Sequence, residues 1–153
     1  MSLVVGTNSY ITVAEADTLL ADHPDAAIWT ALTSAEKSTW LIHACNQLET
    51  LSFRGSKVET TQALAFPRNF DTISNYTPNN VKIGQALQAL WLSQNYERQK
   101  ERLHLDDLNI GNYGVGDVTE VRFKVSTWIC SEARARVFIY VNNYMNFPEV
   151  SRT

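Results

Sequence analysis

The sequence predicts a mainly α protein: a small helical bundle with long arms and a short β-strand or hairpin near residues 117–125. Three observations predict it. A Thr-x-x-Glu spacing occurs at Thr12/Glu15 and again at Thr33/Glu36, and in such a capping box each side chain bonds a backbone amide at a helix start. Apolar residues recur at helical spacing in Trp40, Leu41, Ala44, Cys45, Leu48 and Leu51, and again in Val81, Ala86, Leu87, Leu90 and Trp91. Val121, Phe123 and Val125 alternate with Arg122 and Lys124, which is the period of a strand with one wet face.

The elements follow in order. Residues 1–11 read as an N-terminal arm. A helix is expected from Val13 to about Asp22, stopping before Pro24. Ala26 to Leu32 reads as a helical turn carrying Trp29, and a second long helix as Ser34 to about Leu51, with Gly55 a plausible stop. Residues 56–76 read as irregular. Thr77 and Pro78 have the residue types of an N-cap and first helical position, so a third helix is expected to run to about Arg102. Residues 104–117 read as a flexible connection with Gly111, Gly114 and Gly116, and the strand after it needs a pairing partner, such as a neighbouring subunit. Residues 127–146 fit a helix by the spacing of Cys130, Ala133, Val137, Tyr140, Tyr144 and Phe147, although Val137 to Val141 also has strand propensity. The whole chain of 153 residues reads as one domain, with residues 126–153 as a C-terminal interaction segment.

Composition narrows the function classes. Hydrophobic residues make up 44% of the chain and charged residues 19%, with a net charge of −3. A disordered chain would be less apolar or more charged, and a strongly basic nucleic-acid module is excluded. The charge is uneven: residues 1–50 carry a balance of −5 and residues 51–102 one of +3. Such a split suits contact between copies, and the basic middle also suits phosphate. The two cysteines, Cys45 and Cys130, form no CxxC pair and sit among apolar residues, so both read as buried free thiols. The start of the chain lacks a basic n-region and a long apolar run, and no stretch has the length of a membrane span, so a reducing cytoplasm is the expected setting.

No catalytic constellation emerges. His23, His43 and His104 have no partner at zinc-ligand spacing. Asp106 and Asp107 read as a charged loop, and the glycine series lacks the pattern of a phosphate-binding loop. An enzyme, a cofactor and a metal site are therefore not expected.

Several segments carry a resemblance. Asn8, Ser9, Tyr10, Ile11 and Thr12 with Glu15, Ala16 and Asp17 resemble the opening of small tailed-phage proteins. The stretch Gln62, Ala63, Leu64, Ala65, Phe66, Pro67, Arg68 is similar to a segment of the same group, which often has Trp in place of Phe66. Thr77, Pro78, Val81 and Lys82, and the run from Gly116 to Phe123, continue the likeness. The group resembles phage head–tail connectors (adaptor or head-completion proteins), some members of which are labelled DnaT-like single-stranded-DNA-binding proteins.

The resemblance implies a structural virion protein, assembled in the host cytoplasm into a ring, usually twelve-membered, at the virion neck. Its partners would be other copies of itself, a portal protein and a downstream neck or tail protein, with DNA passing through the channel without sequence-specific binding and no membrane involved. Phe66, Pro67 and Arg68 read as a rigid corner in which Phe66 plugs the helix pack and Arg68 pairs with an acid or a backbone terminus, with direct partner contact as the alternative. The expected subunit or partner contacts are Tyr10, Phe66, Arg68, Phe123, Phe138, Tyr140, Tyr144, Met145 and Phe147. The alternative is a DnaT-like replication protein that binds single-stranded DNA, which wants cations beside aromatic platforms. Arg54, Lys57 and Lys82 are the basic residues that would face DNA, with Tyr76 and Tyr96 as aromatics.

Overall fold

Both capping boxes form, and each opens a helix. In the computed structural model, which describes residues 2–70, 75–107, 112–115, 118–121 and 129–142, α1 (Val13–Leu19) begins after Thr12, whose Oγ1 accepts from the Glu15 amide while the Glu15 carboxylate accepts from the Thr12 amide. α2 (Ala26–Ala31) is a short helix that buries Trp29. α3 (Ser34–Leu48) begins after Thr33, which is boxed in the same way with Glu36. It buries Leu41, Ala44, Cys45 and Leu48, the stripe expected from their spacing.

The chain then turns through Gly55, whose φ of 74° lies in the left-handed region. A Cβ there would collide with the Asn69 carbonyl oxygen, so the close approach itself requires glycine. A two-residue hairpin follows within the segment read as irregular: β1 (Ser56–Lys57) pairs antiparallel with β2 (Arg68–Asn69). The Phe66–Pro67 peptide bond between them is cis.

α4 (Asn79–Asp107) is the longest element described, at 29 residues, and the other helices pack around it. Its first turn is set by the Pro78 carbonyl, which accepts from the Val81 and Lys82 amides. The start thus lies slightly later, and the end later, than the sequence suggests, because the charged tip from Glu97 to Arg102 continues as helix. β3 (Asn112–Val115) and β4 (Val118–Val121) form a four-pair antiparallel hairpin. This corrects the reading of the glycine-rich stretch as a mere connection: it supplies β4's partner from within the chain, so no neighbouring subunit is needed. Pairing uses backbone groups, which glycine supplies as well as any residue.

The C-terminal reading is also corrected. α5 (Ser131–Val137) is one short helix followed by a 3-10 turn at Phe138–Tyr140, rather than a helix across 127–146. The chain then becomes extended, and Val141 bridges to Phe53 while Arg54 N donates to Tyr140 O and Asn142 N to Ser52 O. Of the stretch with strand propensity, Val137 to Val141, only Val141 pairs as a strand would, and the rest is helical. Residues 143–153 and 122–128, with the expected contacts Tyr144, Met145, Phe147 and Phe123, lie outside the described residues.

The main core joins the N-terminal arm, α1 to α4, the β1–β2 corner and the 3-10 turn. Tyr10, Ile11, Leu20, Trp29, Leu41, Phe53, Phe66, Val81, Leu90, Leu92 and Tyr140 belong to one cluster. Leu48, Ile129, Ala133 and Val137 form a smaller one between α3 and α5. α5 can seat closely on α4 because Gly84 has no side chain: a Cβ there would stand 2.8 Å from Val137 Cγ1. Among the described residues, no helix is long and apolar enough to cross a membrane.

Candidate functional site

The segment Gln62–Arg68 is a corner built on side-chain-to-backbone bonds. Gln62 Nε2 donates to the carbonyls of Leu64, Ala65 and Pro67 at 2.8, 3.2 and 3.0 Å. The Arg68 guanidinium donates to the carbonyls of Phe53, Arg54, Gly55 and Ala65. A planar fork with five donors suits such a cluster of acceptors, whereas a lysine would not span it. The Phe66 ring packs edge-on against Tyr10, Phe53 and Tyr140, with centroids 6.1, 4.9 and 5.8 Å away.

Tyr10 locks this corner to the helices. Its hydroxyl donates to Glu49 Oε1 and accepts from the Phe66 amide, while Glu49 Oε2 accepts from the Ala65 amide at 2.8 Å. Burial, with the Glu49 carboxylate beside it, pushes the Tyr10 phenol well above its usual range. Cys45 lies near the same carboxylate, and burial first, then Glu49, pushes its thiol up to about 12. Both cysteines are free, with Cys130 only partly buried and its Sγ accepting from the Ala133 amide at the start of α5. His43 is drawn below its usual range by burial, and its ring packs edge-on against Tyr96.

Of the residues expected at partner contacts, Tyr10, Phe66 and Tyr140 therefore lie in the chain's own core, and Arg68 is engaged by backbone carbonyls. Phe138 is exposed. Of the basic residues expected to face DNA, Lys82 pairs with Glu15 at 3.3 Å. Lys57 is exposed and reaches the Gln62 carbonyl, and exposed Arg54 lies 4.9 Å from the centre of the Phe70 ring. Arg54, Lys57 and Arg68 come together around the β1–β2 hairpin, but only the first two present their charge outward. Tyr76 is exposed, whereas Tyr96 is half-buried against Trp40.

The sequence reading missed a line of glutamines. Gln85 is fully buried on α4; its Nε2 donates to Ser9 Oγ and Leu41 O, and its Oε1 accepts from the Tyr10 amide. Gln88, also buried, donates to Gln47 Oε1 at 2.6 Å and accepts from the Cys130 amide at 2.8 Å. Gln47 in turn donates to Gln99. These side chains tie the N-terminal arm, α3 and the entry to α5 onto one helix. A polar residue between apolar neighbours at helical spacing was the available signal.

A second surface lies where α5 meets the α1–α2 turn. His23, Pro24, Leu87, Glu132, Ala135 and Arg136 line an open groove of about 440 Å³. His23 Nδ1 accepts from the Asp25 amide at 3.1 Å, so its neutral ring presents Nε2–H to Glu132 Oε2, 3.4 Å away. Among the described residues, no group of three or more His, Cys, Asp or Glu side chains is placed to hold a metal ion.

The motif residues thus serve the bundle's own packing, while Arg54 and Lys57 stand exposed on the surface. The chain is matched over residues 2–138 by the family model described as "Putative DnaT-like ssDNA binding protein". The protein belongs to that family. Of the two labels in the resemblance, the match supports the DnaT-like one, and no match supports a head–tail connector. No curated protein and no solved structure matches the chain.

Proposed function

We propose that this is a non-enzymatic protein that binds single-stranded DNA in the cytoplasm of its host cell. The family match across residues 2–138 carries the reading. The surface is compatible with it locally despite the net charge of −3: Arg54 over the Phe70 face, with Lys57 on the adjacent strand, pairs cations with an aromatic as single-strand binders do. The test is anisotropy of a labelled oligonucleotide at rising salt. Binding that weakens steeply between about 50 and 200 mM salt supports the proposal, and no binding at the lower salt rejects it.

A second reading, a head–tail connector subunit that forms a ring with its copies and meets a portal and a neck or tail protein, is favoured by one feature. Val4 and Val5, adjacent in the N-terminal arm, are each 48% exposed, and neighbouring apolar residues on an arm are suited to contact with another chain. Mass photometry decides it: a single closed ring supports this reading, and a monomer alone and with portal rings rejects it.

A further inference from the structure

The groove between α5 and the α1–α2 turn gathers polar groups that packing within the chain does not use. His23 and Pro24 from the turn, Leu87 from α4, and Glu132, Ala135 and Arg136 from α5 line its volume of about 440 Å³, which lies within the range of about 300–1,000 Å³ typical of small-ligand sites. Glu132 and Arg136 stand four residues apart on α5, so both project from one face of it into the same groove. Both are exposed, and among the described residues they form no ion pair with each other. Glu132 is held from the opposite wall instead: the Nε2–H of neutral His23 reaches its Oε2 at 3.4 Å, and the Asp25 amide on Nδ1 fixes that tautomer. Pro24, Leu87 and Ala135 add apolar surface. A carboxylate acceptor and a guanidinium fork thus stand side by side in one cleft.

Resting on the single-stranded-DNA reading, we propose that this groove receives a guanine base of the strand. The Glu132 carboxylate accepts from the guanine N1–H and N2–H, and the Arg136 guanidinium donates to O6 and N7. Guanine presents two adjacent donors along one edge and two acceptors along the next, so each charged side chain makes a paired contact. Adenine and cytosine set a single amino group beside a ring-nitrogen acceptor, which would face the second carboxylate oxygen. Thymine has one N–H flanked by two carbonyls. In a single strand the pairing edge is open to such contacts. The occupant is a base rather than a phosphate, because Glu132 lines the groove and the exposed Asp22 and Asp25 flank His23 in the same turn. Arg54 and Lys57 are not among the groove's lining residues, so general affinity and base preference reside on different side chains.

The test is anisotropy of three labelled strands of about 16 nucleotides at one salt concentration: all thymidine, alternating thymidine and deoxyguanosine, and the same with deoxyinosine, which lacks only the N2 amino group. The full chain is expected to prefer the guanine strand to the thymidine strand by at least about 5-fold, with the inosine strand between them. Glu132→Gln should abolish the preference for guanine over inosine, and Arg136→Met should reduce that for guanine over thymidine. Both side chains are exposed, and equal melting temperatures establish that the variants fold. Arg54→Ala, the control, should weaken all three strands by one factor. Equal binding of the three strands by the full chain overturns the inference while the DNA-binding reading stands, and so does a preference that survives in both groove variants. If the full chain binds no strand, both fall. Deoxyguanosine monophosphate that binds as tightly as the guanine strand assigns the groove to a free nucleotide and overturns the strand contact.

Discussion

The Tyr10 hydroxyl donates to Glu49 while accepting from the Phe66 amide, so one oxygen couples the N-terminal arm, the end of α3 and the corner before Pro67. Tyr10 and Phe66 are buried in the core, and Glu49 is partly buried beside them.

Tyr10→Phe should therefore cost more than a surface hydroxyl would. It leaves a Glu49 oxygen and the Phe66 amide without their partner, at about 1–3 kcal/mol for each buried group left unsatisfied. Urea unfolding of the variant should show this loss with an unchanged m-value; a midpoint equal to the parent's would contradict the coupling.

The same site sets an alkaline limit. The folded Tyr10 and Cys45 hold their protons more tightly than the unfolded chain does, so unfolding releases protons and stability falls as pH rises. For Cys45 the fall begins near the unfolded thiol value of about 8.5 and extends to the folded value of about 12. For Tyr10 it begins near about 10. Glu15 and Glu36 act oppositely: bonds to Thr12 and Thr33 lower them, so their contribution is present above about 4.3 and is lost as pH falls. A pH series of melting curves should show a dome, and Cys45→Ala should flatten its alkaline side from about pH 8.5.

Gly84→Ala sets two effects against each other. Alanine gains about 1 kcal/mol in helix propensity, but its Cβ would stand 2.8 Å from Val137 Cγ1, and overpacking costs about 1–3 kcal/mol. The β-branched valine has little freedom to turn away, so a net destabilisation is expected. Adding Val137→Ala should restore part of it, and a double-mutant cycle by thermal or urea unfolding reads that coupling directly.

Arg68→Lys and Arg54→Ala should separate packing from binding. Losing the fork that serves four carbonyls should destabilise the fold by about 1–3 kcal/mol and leave the salt slope of DNA binding unchanged. Arg54→Ala should leave the melting temperature nearly unchanged and lower that slope by about 0.7.

What the sequence disclosed was what depends on short range. Thr12 with Glu15 and Thr33 with Glu36 announce helix starts because the partners are three residues apart, and the α3 stripe is visible because one helix face repeats. The buried role of Gln85 was hidden because its partners are Ser9, Tyr10 and Leu41, far away in the chain. β3 was hidden because a strand that bonds through its backbone needs little from its side chains. Phe66 and Arg68 were legible as a rigid corner because Pro67 lies between them, whereas the particular carbonyls gathered around Arg68 come from a segment more than ten residues earlier. Tyr140 was expected at a partner contact, yet its place beside Phe66 depends on Phe53 pairing with Val141.

The glutamines on α4 also impose a timetable on synthesis. Gln88 cannot receive the Cys130 amide until 42 more residues have been made. A ribosome-held chain from which α4 has emerged but α5 has not can close the arm over Gln85 while Gln88 still lacks that donor. Arrest peptides placed at successive lengths should accordingly register two tension events, one for the arm and a later one as α5 emerges.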